Sequence, residues 1–399
     1  MMPGPGQSRR IGRAVARNAG AAGLIALALS LCAFTWPWDV NGPWPSSSER
    51  PVAPLSHPSV ETALAGLPGG PSGGFRFVAF GDQRAVADGE WQALMAAIAA
   101  RAEGDARLLF MLDTGDIVND GRHADQFALL ADILAPAADL PYVVSVGNHE
   151  LKDNRSAVAR QNTAVCLAGL DADFGVGRMY YAKQLGRLRL LVLDSNDLVY
   201  GDDGSAKAVA TPAPGSRAEA QWRWLVDQLA RPEPEGVVTV VAMHHPIVQS
   251  SKKHREAASG LWNLRVDGRS LPELFLDGGV DLVLCGHTHT FEQFRLARGG
   301  RAMHLINLSG RPRDSVLGWG AGARRARDIL GRETERLADW GWKDLDGWTI
   351  DQVDAMTRDE ADEFAVFDLP PEGPLSYTVH FLDEDAPAGL RDTEPRQLD

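Results

Sequence analysis

The sequence predicts a layered α/β fold, and three observations carry that prediction. From Phe75 onward, apolar β-rich runs alternate with stretches of helical spacing. Three of these runs, LLFMLDT, YVVSV and VDLVLC, each lead into a polar, glycine-containing loop. Near the C-terminus, EFAVFDL and LSYTVHFLD read as two strands across the turn PPEGP, placed to close the sheet begun at Phe75. With 399 residues, of which 44% are hydrophobic and 23% charged, the chain can bury a large core as one domain with decorations.

In chain order, FRFVAF is a strand ending at Gly81-Asp82, and residues 88 to 103 have helical spacing. RLLFMLDT is the next strand, a helix follows near 123 to 135, and PYVVSV is the third strand. This β-α-β-α-β rhythm argues for layered sheet and helix. LRLLVLDS is a further strand. SRAEAQWRWLVDQLA is a helix with Ser216 as N-cap and Glu219 completing a capping box. VVTVVAMHHP, VDLVLCGH and AMHLINLSG are strands, and SLPELFLDGG is a short helix. Residues 311 to 360 are charged, helical in tendency and rich in tryptophan (Trp319, Trp340, Trp342, Trp348). They read as a helical insertion into one domain spanning 74 to 385. Residues 386 to 399 are expected to be a disordered tail.

Residues 1 to 38 read as a targeting segment. Arg9, Arg10, Arg13 and Arg17 form a basic region, and Ala19 to Trp38 carries no charge. That uncharged stretch is just long enough to span a bilayer as a helix, with Trp36, Trp38 and Trp44 at the far interface. An uncleaved signal anchor is favoured over a cleaved signal peptide. Both put the catalytic part in the cell envelope, outside the cytoplasm, either tethered to the membrane or secreted. Residues 39 to 73, rich in Pro, Ser and Gly, are expected to be a linker.

The formal net charge of -13 argues against nucleic acid as a partner. A phosphorylated substrate would be repelled as well unless a local positive centre, such as bound metal, captured it. Cys32, Cys166 and Cys285 show no CxxC spacing and read as unpaired small hydrophobes, so thiolate ligands are not expected.

The polar loops supply the chemistry. Asp116 in Gly115-Asp116 carries a carboxylate able to bridge two cations, although an Asp after Gly is commonly a turn residue. Asn148 offers a neutral amide oxygen. His149 follows it and would hold a proton for a leaving group, oriented by Glu150. His287 and His289 lie two residues apart at a strand end, where Gly286 permits a sharp turn. Of His244 and His245, His244 is favoured as a ligand and His245 as structural. His254, in QSSKKHRE, becomes a phosphoryl contact only if its loop folds over the metals.

Taken in order, Asp82-Gln83-Arg84, Gly115-Asp116, Gly147-Asn148-His149-Glu150, His244-His245-Pro246 and Gly286-His287-Thr288-His289 resemble the motif series of the calcineurin-like metallophosphoesterase superfamily. The purple acid phosphatase-like branch is nearest, and the resemblance covers residues 75 to 310 with the closing strands. It implies a four-layered α/β/β/α sandwich with the site at the strand ends. It also implies two metal ions (Fe, Mn or Zn). One would take Asp82, Asp116 and His289, and the other Asp116, Asn148, His244 and His287. His149 matches the family's general acid, and His254 sits where that branch places a substrate-contacting His. The expected activity is hydrolysis of phosphoesters by a metal-activated water. The substrate would be a small phosphoester or a phosphorylated molecule.

One position departs from the pattern. The first motif ends in Arg84 where the family has His, and the compensating Tyr of purple acid phosphatases is here Asn119. Arginine stays protonated and cannot ligate. It would pair with Asp82 or neutralise a phosphate oxygen, and the first metal site would be the weaker one. His123 is a possible substitute ligand. Two alternatives follow: a one-metal variant with narrower phosphodiesterase activity, or an inactive membrane-tethered scaffold on the same fold.

Overall fold

The computed structural model describes residues 51–85, 90–171, 174–206, 208–232, 234–250, 254–308, 334–355, 363–382 and 390–398. The targeting segment with Cys32, residues 39–50 of the expected linker, and Trp319 lie outside the described residues.

The first half of the chain runs α1 (Val60–Gly66), β1 (Phe75–Phe80), α2 (Glu90–Gly104), β2 (Leu108–Asp113), α3 (Ala124–Leu134), β3 (Tyr142–Val144), α4 (Asn148–Leu151) and α5 (Ala157–Leu167). Then come β4 (Tyr181–Leu185), β5 (Leu188–Val192), α6 (Ser195–Tyr200), α7 (Arg217–Leu229), β6 (Val238–Ala242) and α8 (Arg255–Asn263). A small ribbon, β7 (Arg265–Val266) and β8 (Arg269–Ser270), precedes α9 (Leu271–Asp277), β9 (Leu282–Cys285), β10 (Glu292–Arg298) and β11 (Arg301–Asn307). The chain ends with α10 (Thr334–Asp339), β12 (Thr349–Ala355), β13 (Glu363–Leu369), β14 (Ser376–Leu382), β15 (Leu390–Asp392) and β16 (Arg396–Gln397).

Two seven-stranded sheets form among the described residues, besides the β7-β8 ribbon. The first has the order β15-β14-β13-β1-β2-β3, with β16 also on β14. Its β1, β2 and β3 are parallel, and β13 closes antiparallel against β1. The second has the order β12-β10-β11-β9-β6-β5-β4, and its centre β11-β9-β6-β5 is parallel. Strand periodicity explains why these central runs are apolar throughout. Leu188, Leu190 and Val192 join the core shared with the first sheet, whereas Leu191 and Leu193 join the core beneath the helices. On the helix side, α7, α8 and α9 bury Trp222, Leu225, Leu261, Trp262, Leu274 and Phe275 against the second sheet. Trp91, Leu94 and Ile98 of α2 and Phe127, Leu130 and Ile133 of α3 pack with the first. The fold is α/β, with helices packed on both sheets. Phe77 lies between Phe110 and Phe367, with ring centroids 5.0 and 4.9 Å away, so one aromatic row ties β2, β1 and β13 together.

Four expectations need correction. Residues 51–73 are not a free linker: α1 buries Val60 and Leu64, four residues apart on one face, and Leu55 is buried beside them. Leu55 N–H donates to the Cys166 carbonyl at 2.7 Å, and Lys183 reaches Glu61 at 2.8 Å. Burying each such side chain contributes roughly 1.5–3 kcal/mol toward holding this segment on the domain. Part of the expected disordered tail is strand, because β15 and β16 complete the open edge of β14. The described part of the insertion is only partly helical. Its β12 pairs with β10, and Trp342 and Trp348 are buried. The indole N–H of Trp342 donates to the Ile247 carbonyl at 2.8 Å, so these tryptophans serve the core. Finally, the box expected at Ser216 is half made. Ser216 Oγ accepts from Glu219 N–H at 3.1 Å, but the Glu219 carboxylate accepts from Gly215 N–H at 2.6 Å. A full box forms instead at Ser270 and Glu273.

Candidate metal centre

The expected ligands sit at the C-terminal ends of parallel strands in both sheets, the usual binding crevice of α/β folds. Asp82 follows β1, Asp116 follows β2, Asn148 follows β3, His244 follows β6, and His287 follows β9. All but Asn148 are buried. Eleven non-glycine residues have positive φ among the described residues, and six of them are Asp82, Arg84, Asp116, His254, His287 and His289. Each such backbone costs on the order of 1–3 kcal/mol, so strain is concentrated where these side chains must converge.

Convergence is tightest at His244. Its Nδ1–H donates to the Thr114 carbonyl at 3.0 Å, which leaves Nε2 with a bare lone pair in the neutral ring. That Nε2 lies 3.1 Å from Asn148 Oδ1, 3.2 Å from His287 Nδ1 and 3.3 Å from Asp116 Oδ1. His287 Nδ1 is also 3.1 Å from Asn148 Oδ1. Burial lowers the pKa of His244, and burial followed by the neighbouring histidines lowers that of His287. Both rings therefore favour the neutral, ligating form. Electron-rich atoms at such separations form edges of a coordination shell: bonds of about 2.1 Å at right angles put ligands roughly 3.0 Å apart. These four residues fit a cation.

His245 stands beside them but is occupied. Its Nδ1 is 2.8 Å from Ser195 Oγ and its Nε2 is 3.2 Å from the Tyr200 hydroxyl. It clusters with His244 and His287, and both of its nitrogens are engaged by hydroxyl groups.

Asp82, Asp116 and His289 form a second cluster of donor atoms within 4.8 Å of one another. Asp82 Oδ2 accepts from His287 N–H at 2.6 Å, and its Oδ1 has no hydrogen-bond partner among the described residues. Burial, then the like charge of Asp116, pushes Asp82 well above the ordinary carboxylate range. Arg84 enters this cluster, donating from Nη2 to Asp116 Oδ2 at 3.3 Å and to His289 Nε2 at 3.0 Å. His123 belongs to neither cluster among the described residues and stands at the N-cap of α3.

Of the two other expected catalytic residues, His149 has its Nδ1 2.6 Å from the Asn119 carbonyl, and its Nε2 lies 3.8 Å from Asp116 Oδ2. His254 is exposed, but its ring centroid lies 4.7 Å from that of His287, so its loop does reach the centre.

Two local readings change. Glu150 does not orient His149: its carboxylate accepts from the N–H groups of Gly147, Asp116 and Val118 at 2.7, 2.9 and 2.9 Å. It thereby locks the loops after β2 and β3 together. Gly286 is required by close approach, not by a turn, since an added Cβ would stand 2.7 Å from Asp82 Oδ2. The positive φ belongs to His287.

Sequence reasoning did not single out Asn196. Its side-chain amide donates to the carbonyls of Val146 and Gly147 at 3.0 and 3.2 Å, holding the loop that presents Asn148 and His149. The only signal was its place just after the strand LRLLVLDS.

The chain is similar to several known proteins. Two proteins of Mycobacterium tuberculosis, from strains CDC 1551 / Oshkosh and ATCC 25618 / H37Rv, are each 26% identical over 244 residues, and both are described as uncharacterised. The match covers 56% of this chain and 44% of each relative, so it spans less than half the length of these curated proteins. Among solved structures, purple acid phosphatase PPD1 of yellow lupin (Lupinus luteus) is 14% identical. That match covers 77% of this chain and 51% of the phosphatase, with a TM-score of 0.47. GAP50, the anchor in the inner membrane complex of Plasmodium, is 13% identical, with 82% and 89% covered and a TM-score of 0.48. Neither likeness carries functional weight. The calcineurin-like phosphoesterase description matches residues 75–291, more than half of the chain and the stretch that holds both clusters. This chain belongs to the calcineurin-like phosphoesterase family.

Proposed function

We propose that this chain hydrolyses phosphoesters with the help of bound metal. The observation that carries the reading is the convergence of Asp116, Asn148 and His287 on the lone pair of His244. When bound there, a cation supplies Lewis acidity toward a phosphoryl oxygen and lowers the pKa of water. The remaining work falls to the protein. His149, its ring held by the Nδ1–H bond to the Asn119 carbonyl, presents Nε2 to the leaving oxygen, to which the imidazolium form of the ring gives its proton. His254, at the exposed rim, donates to a phosphoryl oxygen as substrate enters. Arg84 contributes fixed positive charge against the anion. Asn196 and Glu150 hold the loops that aim these groups.

The substrate class fits a small phosphoester or a phosphorylated molecule, and the net charge of -13 disfavours nucleic acid. An extracytoplasmic site of action is supported by the basic and apolar pattern of residues 1–38, where an uncleaved segment would tether the domain to a membrane. No helix among the described residues is long and apolar enough to cross a membrane.

The test is hydrolysis of an aryl phosphate monoester and an aryl phosphodiester by the purified full-length chain, with Mn, Fe or Zn supplied in turn. Turnover that disappears with a chelator and in His244→Ala is expected. Absence of turnover on both substrate types with every metal would sink the reading.

A further inference from the structure

We propose that the Arg84 guanidinium is the resident cation of the Asp82–Asp116–His289 cluster, so that the chain holds one metal ion rather than two. This rests on the reading that His244, His287, Asn148 and Asp116 hold a metal. Three observations carry it. First, a single nitrogen of Arg84 bridges two of the three donor atoms of the cluster, Asp116 Oδ2 at 3.3 Å and His289 Nε2 at 3.0 Å. A lone pair that accepts a guanidinium N–H is not available to a metal. Second, Arg84 is built into the site. Its side chain is only 14% exposed. Its backbone N–H donates to the Asp116 carbonyl at 2.8 Å, and its φ of 46° is left-handed. Third, the described residues supply no replacement for the donor that Arg84 displaces from this cluster. Arg84 stands where a histidine ligand is expected, Asn119 uses its carbonyl for His149, and His123 is outside the cluster.

The charge balance agrees. Asp82 and Asp116 are both fully buried carboxylates, and a fixed guanidinium between them and His289 supplies positive charge without an exchangeable ion. A second metal would have to enter against that charge and displace it.

The test is metal stoichiometry of the purified full-length chain after reconstitution with excess Mn(II) and removal of loosely held ion. One tightly held equivalent is expected, with the spectrum of an isolated Mn(II) in electron paramagnetic resonance. Arg84→His should gain a second equivalent and an exchange-coupled spectrum. His289→Ala should keep its single equivalent, whereas His244→Ala should lose it. Two tight equivalents in the wild-type chain would overturn this proposal and leave phosphoester hydrolysis standing, as would a single equivalent that survives in His244→Ala and is lost in His289→Ala. No tight metal in either the wild type or Arg84→His would overturn both readings.

Discussion

His149 Nδ1 lies 2.6 Å from the carbonyl oxygen of Asn119, the residue that stands where a tyrosine ligand is expected. Asn119 thus supplies a backbone acceptor that fixes the ring orientation of the proposed general acid. His149→Ala should lower turnover by about 10²–10⁴ while metal content stays the same. A variant with wild-type turnover would remove His149 from the mechanism.

Metal removal should act on stability as well as activity. The ligands of the His244 centre come from loops after four different strands in two sheets, so a cation that binds only the folded chain stabilises it by mass action. At a free metal concentration one hundred times the dissociation constant, this amounts to about 2.7 kcal/mol. Thermal unfolding with and without a chelator reads the difference, and identical transitions would contradict a metal centre.

Gly147 has no room for a side chain. An added Cβ would stand 2.2 Å from Asp116 Oδ1 and 2.4 Å from Asp116 N. Gly147→Ala is expected to displace the Asp116 carboxylate, weaken metal binding and cost about 1–3 kcal/mol of stability. Metal titration together with urea unfolding checks this. Wild-type metal affinity in the variant would show that Asp116 need not sit where it does.

Glu273 gives a prediction remote from the metals. Burial works against its charge, but the Ser270 N–H and hydroxyl and the Arg298 guanidinium outweigh it and hold the carboxyl at about 2. A depressed carboxylate contributes stability above its unfolded pKa, near 4.5, and that contribution is lost as pH falls toward 2. Glu273→Gln should therefore cost about 1 kcal/mol at neutral pH, a modest value for a partly exposed group. The gap between wild type and variant should shrink below pH 4.5 and close near pH 2. A gap of the same size in acid would refute the argument.

Replacing Asn196 by Ala tests loop positioning. It removes two donors to the carbonyls of Val146 and Gly147, and the buried acceptors left behind should cost about 1–3 kcal/mol. Turnover should fall with little change in substrate affinity, because Asn148 and His149 lose their support. A variant that matches the wild type in both respects would make Asn196 incidental.

The sequence by itself determined the main strands, the closing pair β13 and β14, and the identities of the residues that converge. Each of these signals is local: an apolar run long enough to be buried, followed at once by a polar group on a glycine-containing loop. The tertiary structure alone showed what engages His245, because the hydroxyls beside its nitrogens come from Ser195 and Tyr200, 50 and 45 residues away. It also redirected Glu150 from its neighbour His149 to amides of a loop more than thirty residues back. It recruited residues 51–73 and the tail, since their stability lies in a core face and a strand edge that composition cannot reveal. And it set Arg84 between Asp116 and His289, where a charge excluded from ligation on chemical grounds still takes a cation's place. Chemistry follows from residue type, but occupancy follows from distances that only the folded chain sets.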